Sequence, residues 1–285
     1  MIIDKLYKKV EEKGNVCLGL DTSITYIPEE FSKSYEKVSD LLFNFNKKII
    51  DETIDAVSCY KVQIAYYEAL GIEGLTAYKN TLKYIRENGE IVIADVKRGD
   101  IKDTADMYAK AHFSGDFEAD LITLSPYMGF DSIEPYMTYV KNYEKGIFPL
   151  IRTSNKGAYD IEYLKTEEGK RVFDIVAEKT NKLGEECMGS CGYSSIGGVV
   201  GCTHIDEAIN LRKTLENTFL LIPGYGAQGG GAKEVKPYLK DKNGAVVNSS
   251  RGILLAYKKK EYEGLSFSDA ARKETIRMRD DLWGI

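Results

Sequence analysis

The chain has 285 residues, 43% of them hydrophobic, and a formal net charge of -5. That is enough apolar material for one large core, and α/β barrels reach this length as a single domain. A mildly acidic balance argues against a nucleic-acid or anionic-membrane binder, while leaving room for a local anion pocket.

The opening segment, Met1 to Lys13, is charged and has no long apolar stretch. Neither a signal peptide nor a transmembrane span of ~20 residues is expected, and the default location is the cytosol. The first β-rich run, Val16–Asp21, closes on G-L-D and puts Asp21 at its C-terminal end. Tyr35–Ile50 then places Val38, Leu41, Leu42, Phe45 and Ile49 on one helical stripe. The second run, Ala56–Val62, carries Lys61 near its end in C-Y-K-V-Q. Leu75–Asn88 reads as a helix stopped by Gly89. The third run, Glu90–Val96, leads into A-D-V-K-R-G-D-I-K-D-T, from Ala94 to Thr104.

Further strands are predicted at Asp120–Ser125, Phe148–Thr153, Gly197–Cys202, Phe219–Pro223 and Ala245–Asn248. Gly115 and Gly184 read as helix stops. Between strands five and six, Ser154–Ser195 is an elaborated βα unit holding a long helix over Ile161–Leu183. A final helix is predicted over Ser266–Leu282. Ser266 and Ser268 are its candidate caps, and Ala270, Ala271, Ile276 and Leu282 its apolar stripe.

Most of the eight runs are continuously apolar, as strands buried on both faces are. Eight of them alternating with helices predict a (β/α)8 TIM barrel forming one domain over residues 1–285. The competitor is an open doubly wound sheet. Polar residues just after many strands favour closure, because barrel sites sit there, and no G-x-G-x-x-G follows the first strand. The five cysteines are Cys17, Cys59, Cys187, Cys191 and Cys202, and the only histidines are His112 and His204. Cys187 and Cys191 lie four apart, but no second pair stands at zinc-site spacing, so no metal is expected.

Two constellations carry chemistry. After the seventh strand comes I-P-G-Y-G-A-Q-G-G-G, Ile222 to Gly231; after the eighth comes N-S-S-R-G, Asn248 to Gly252. Glycines bring backbone N–H groups close to an anion, and an arginine grips phosphate with paired hydrogen bonds. Each alone reads as a surface loop or a surface ion pair. Together, after strands seven and eight, Gln228, Gly229, Arg251 and Gly252 form a candidate phosphate site.

The second constellation is Asp21, Lys61, Asp95, Lys97 and Asp100, charges set at successive strand ends. Residues two apart in a strand share a face, so Asp95 and Lys97 point the same way. A neighbouring carboxylate keeps a lysine protonated and aims it as a proton donor. It also disfavours a second anion beside it. Opposite charges ~4 Å apart are worth ~4 kcal/mol at an effective dielectric of ~20. Such an array favours loss of a substrate carboxylate as carbon dioxide and protonation of the carbanion left behind.

These residues resemble the orotidine 5'-phosphate decarboxylase family. Its D-x-K-x-x-D signature stands as Asp95, Lys97 and Asp100, with Thr104 at the matching distance. The likeness runs from Gly19–Asp21 through Lys61, Ser154 and Pro223–Gly231 to Arg251. The length and the R-T-S-N segment, Arg152–Asn155, are similar to the longer bacterial branch. The shorter branch usually has a proline where Lys102 stands, which affects loop shape. The resemblance implies cofactor-independent decarboxylation of orotidine 5'-monophosphate to UMP, the last step of de novo UMP synthesis. It implies that Lys97 protonates C6, that Asp95 orients Lys97, and that Lys61 links Asp95 to the ribose. Asp21 would bind ribose, Ser154 the pyrimidine amide edge, and Gln228 and Arg251 the phosphate. It further implies a homodimer in which Asp100 and Thr104 enter the neighbouring site.

Two rivals remain at this point. A sugar-phosphate lyase of the same superfamily would use Mg²⁺, which Lys61 repels. A silent phosphate-ligand sensor would keep Gly226–Gly231 and Arg251 but not need the charged centre.

Overall fold

Alternate residues of each strand supply two different cores, and that alternation makes the runs continuously apolar. Val16, Leu18, Tyr60, Val62, Val92 and Ala94 point outward into a cluster shared with the surrounding helices. Cys17, Cys59, Ile93, Leu121, Phe148 and Phe219 point inward into a second cluster. The strands of this computed structural model are β1 (Val16–Gly19), β2 (Cys59–Gln63), β3 (Val92–Arg98), β4 (Leu121–Leu124), β5 (Gly146–Arg152), β6 (Ser194–Val200), β7 (Thr218–Ile222) and β8 (Ala245–Ser249). All pair in parallel in sequence order, and β1 pairs with β8 through Cys17↔Asn248, closing the barrel. The structure describes residues 1–202, 205–226 and 230–285, the side chains of residues 205 and 206 excepted. No helix among the described residues is long and apolar enough to cross a membrane.

Each predicted strand overlaps an observed one, and the (β/α)8 barrel stands. The helices differ in instructive ways. Three follow their stripes: Val38–Thr53, Gly71–Glu87 and Phe267–Trp283. Ser266 caps the last, accepting from the Asp269 N–H at 3.1 Å, whereas Ser268 lies inside the helix. The helix predicted over Ile161–Leu183 begins only at Val172. Before it, Lys165 bridges Arg171 in antiparallel fashion around Gly169, whose φ of +80° belongs to a turn. The Asp174 carboxylate then accepts the Arg171 N–H at 3.2 Å and starts the helix there. Gly184 does not stop that helix by a left-handed turn; its φ is -59° and the chain runs on into a 3-10 turn.

The opening segment forms a helix, Ile2–Lys13, that sequence reading did not predict. Its buried residues are Ile2, Ile3, Leu6 and Val10, a helical stripe hidden among lysines and glutamates. They join the inward cluster and plug the barrel at the N-terminal ends of its strands. Burying four such side chains contributes roughly 1.5–3 kcal/mol each.

The barrel interior is filled to contact. A Cβ on Gly197 would sit 2.4 Å from the Phe148 ring and 2.6 Å from the Phe219 carbonyl oxygen. The ring can turn, but the carbonyl belongs to the neighbouring strand. Gly197→Ala is therefore expected to lower stability by about 1–3 kcal/mol, measured by urea denaturation. An unchanged midpoint would mean that the strand can move aside.

Candidate active site

The inward-facing column of each strand changes character on the way up the barrel. On β2, Cys59, Lys61 and Gln63 share one face; on β3, Ile93 and Asp95 do so; on β4, Leu121 and Thr123. The lower members are apolar and the upper ones polar. Closure of the sheet brings the upper members together.

The result is a continuous ionic chain. Lys61 Nζ lies 3.1 Å from Asp21 Oδ1 and 2.9 Å from Asp95 Oδ2. Lys97 Nζ lies 2.5 Å from Asp95 Oδ1. Gln63 Nε2 donates to Asp95 Oδ2 at 2.9 Å, and the Thr123 hydroxyl donates to Asp95 Oδ1 at 2.9 Å. Both oxygens of Asp95 are thus doubly engaged. Asp95 and Lys61 are only 6% and 4% exposed, so each needs its partners. Burial alone would raise the Asp95 pKa. The ammonium groups of Lys61 and Lys97 outweigh it and hold the carboxyl well below the usual carboxylate range. Burial would lower the Lys61 pKa, yet Asp21 and Asp95 win and push it above the ordinary lysine value.

Asp95 and Lys97 do meet, although not through regular strand geometry. Lys97 has φ +43°, and the register of β3 on β4 shifts between Ala94 and Arg98. A left-handed lysine costs on the order of 1–3 kcal/mol. Thr123 stitches the irregularity: its hydroxyl oxygen accepts from the Val96 and Lys97 N–H groups at 3.0 and 2.9 Å. With the donation to Asp95, this one hydroxyl uses its full capacity. The Lys97 side chain remains 46% exposed, reaching from the buried array into the cavity.

That cavity, about 260 Å³, has Lys61, Asp95, Lys97 and Thr123 on one side. Leu150, Val199 and Leu221 give it an apolar wall, and Ser154 and Asn155 stand at its rim. Arg251 and Gly252 border a second cavity of about 360 Å³ with Tyr225, Gly226 and Ser249. The helix after Arg251 is a single turn, Arg251–Leu254. Gln228 and Gly229 lie outside the described residues.

Within one chain, Asp100 and Thr104 do not join the ionic array. Asp100 Oδ1 accepts the Ile101 N–H at 2.9 Å, and Thr104 is exposed on the first turn of the helix Lys102–Phe113. Lys102 has φ +46°, a conformation closed to proline, so the loop takes its own shape here. Sequence reading missed Gln63 and Thr123. Gln63 was detectable, two residues beyond Lys61 on the same face. Thr123 carried one signal, a lone hydroxyl inside an apolar strand.

Residues 14–263 match the family model described as orotidine 5'-phosphate decarboxylase / HUMPS family. A protein of Clostridium acetobutylicum named orotidine 5'-phosphate decarboxylase is 64% identical over 282 residues, covering 99% of both chains. One of the same name from Clostridium novyi is 62% identical, covering 99% of this chain and 98% of its own. The solved structure of Leishmania donovani OMP decarboxylase superposes with a TM-score of 0.74 at 28% identity, covering 98% of each chain. Leishmania donovani UMP synthase gives a TM-score of 0.78 at 29% identity over 99% of this chain and 56% of that one.

A depressed carboxylate pKa ties the array to folding. The stability Asp95 contributes is fully present above the unfolded value of ~3.9 and is lost as pH falls below it towards the lower native value. Asp95→Asn, which leaves Lys61 and Lys97 short of a counter-charge, is expected to cost on the order of 3 kcal/mol at pH 7. The gap from wild type should hold from pH 7 to about pH 5 and narrow by about 1 kcal/mol as denaturation is repeated down to pH 3. A gap independent of pH would mean the carboxylate charge is not what holds the array.

Proposed function

The chain belongs to the orotidine 5'-phosphate decarboxylase / HUMPS family, and on that premise we propose that it converts orotidine 5'-monophosphate to uridine 5'-monophosphate with Lys97 as the proton donor. It is a carbon–carbon lyase of UMP biosynthesis in this reading, acting in the cytosol. The observation that carries the proposal is the unbroken chain Asp21–Lys61–Asp95–Lys97 on one side of an apolar-walled cavity.

The substrate carboxylate would lie against Asp95, which is held ionised and cannot escape by taking up a proton. The C–C bond breaks, carbon dioxide leaves, and the electron pair stays at C6 of the ring. Lys97 Nζ gives that carbon a proton, and its half-exposed side chain regains one from solvent. Preorganised ammonium groups stabilise charge where it develops without reorganising at the moment of reaction. No single ion pair supplies a barrier reduction that reaches ~23 kcal/mol in the most proficient enzymes, so binding energy from remote groups must add to it. That is the role we assign to the phosphate, held by Arg251, Gly252, Gln228 and Gly229. Asp21 and Lys61 take the ribose hydroxyls, and Ser154 the amide edge of the base.

The Mg²⁺-dependent branch of the family is disfavoured by position as well as charge. The Lys61 ammonium already bridges Asp21 and Asp95, the two carboxylates a cation would need. We further assign Asp100 and Thr104 to the site of a second copy, in a homodimer with two shared sites. Both stay outside their own chain's array, Thr104 exposed, and that supports this.

Purified protein should consume orotidine monophosphate in an ultraviolet assay without added metal and with excess EDTA. Lys97→Ala should abolish turnover while keeping much of the affinity for UMP; near-normal turnover by that variant rejects Lys97 as the donor. Shared sites give a separate signature. Lys97→Ala and Asp100→Asn proteins, each inactive alone, should regain activity when unfolded together and refolded as a mixture. A mixture as inactive as its parents would confine each site to one chain.

A further inference from the structure

The segment that carries Ser154 is held in place by a carboxylate, Glu162, that lines not the cavity of Lys61, Asp95 and Lys97 but an adjoining one of about 620 Å³ beside Thr153 and Asn155. β5 ends at Arg152, and Thr153, Ser154 and Asn155 cross the cavity rim. From below, Gly201 supports Ser154. A Cβ on Gly201 would sit 3.0 Å from the Ser154 Cβ and 3.2 Å from its backbone nitrogen, so a bare backbone allows this approach. Gly201 is itself tied to Arg152: its N–H donates to the Arg152 carbonyl at 2.9 Å, and the buried guanidinium donates to the Gly201 carbonyl.

From outside, Glu162 grips the preceding residue with both oxygens. Oε2 accepts the Thr153 N–H at 2.9 Å, and Oε1 faces the Thr153 hydroxyl at 2.6 Å. The Glu162 backbone is anchored in turn, its N–H on Ala158 at 2.8 Å and its carbonyl on the Phe173 N–H at 3.0 Å. No lysine or arginine among the described residues lies within ion-pair distance of it. A carboxylate spending both oxygens on two neutral donors of one residue fixes a backbone position, as it does in helix caps.

We propose that Glu162 is a positioning residue: by clamping Thr153 it sets Ser154 on Gly201, and thereby how tightly the site holds the polar edge of the base. The inference rests on the reading of Ser154 given above and adds a residue that acts through Thr153, outside the lining of the ionic cavity. The ribose and phosphate contacts lie on other strands and do not depend on it.

Calorimetric titration with UMP and with ribose 5-phosphate tests this in the intact protein. Glu162→Ala is expected to weaken UMP binding about tenfold and leave ribose 5-phosphate within about twofold of wild type. Glu162→Gln should behave as wild type. Its amide oxygen accepts the Thr153 N–H and its NH2 donates to the hydroxyl, which turns its proton to Asn155 Oδ1, now 2.6 Å away. Ser154→Ala added to Glu162→Ala should cost little more than either alone. Unchanged UMP affinity in Glu162→Ala, or equal loss of both ligands, overturns the proposal; the second result would report general loosening. Wild-type protein that fails to turn over orotidine monophosphate overturns the parent reading and this one with it. Normal turnover with an indifferent Glu162→Ala overturns this one alone.

Discussion

One carboxylate organises the upper half of this barrel. Asp95 receives Lys61 and Gln63 on one oxygen and Lys97 and Thr123 on the other, and these donors come from β2, β3 and β4. Taking an aspartate and a lysine out of water costs several kcal/mol for each ion, and attraction offsets this only when every remaining donor and acceptor is satisfied. Asp95 meets that condition. Lys61 places a second of its three N–H donors on another carboxylate, Asp21, just beyond β1. The constraint therefore spans four neighbouring segments, and none of these residues can shift without leaving a charge uncompensated.

The opposite side of the cavity obeys different physics. Leu150, Val199 and Leu221 exclude water there, which keeps the local dielectric low and strengthens every charge interaction across the space. Apolar wall and ionic wall come from the same inward-pointing positions of different strands. The chemistry is therefore a matter of which residue occupies the topmost inward position of each strand. Lys97 is the exception, since it sits at the irregularity within β3 where the register on β4 shifts. Its left-handed backbone, stitched by Thr123, carries the ammonium out of the barrel wall and over the cavity.

Much of this was legible in the chain alone. Eight apolar runs marked the eight strands, because a strand covered on both faces has no polar side to interrupt it. Asp21, Lys61, Asp95 and Lys97 stood out because charge at the end of such a run has no structural excuse. Thr123 did not, since a threonine is an ordinary β-strand residue and its three hydrogen bonds depend on a register shift that only β3 against β4 reveals. The start of the helix at Val172 was missed because its apolar spacing extends back into a segment that a turn at Gly169 removes from the helix. The helix Ile2–Lys13 was missed because four buried side chains among many charges look like a solvated tail until the barrel end they cover is known. Asp100 stood out in the same motif as Asp95 and Lys97, yet it turns back on the Ile101 N–H and, like Thr104, stays outside the ionic array of its own chain.

That opening helix has a consequence for traffic. With Leu6 and Val10 packed into the inward cluster, the barrel is a vessel with a sealed base and one mouth. Reactant, gas and product must all pass the same rim, where Ser154, Asn155 and Lys97 stand. A small product needs less of that opening than a nucleotide does, so the width of the rim weighs on the larger molecule alone.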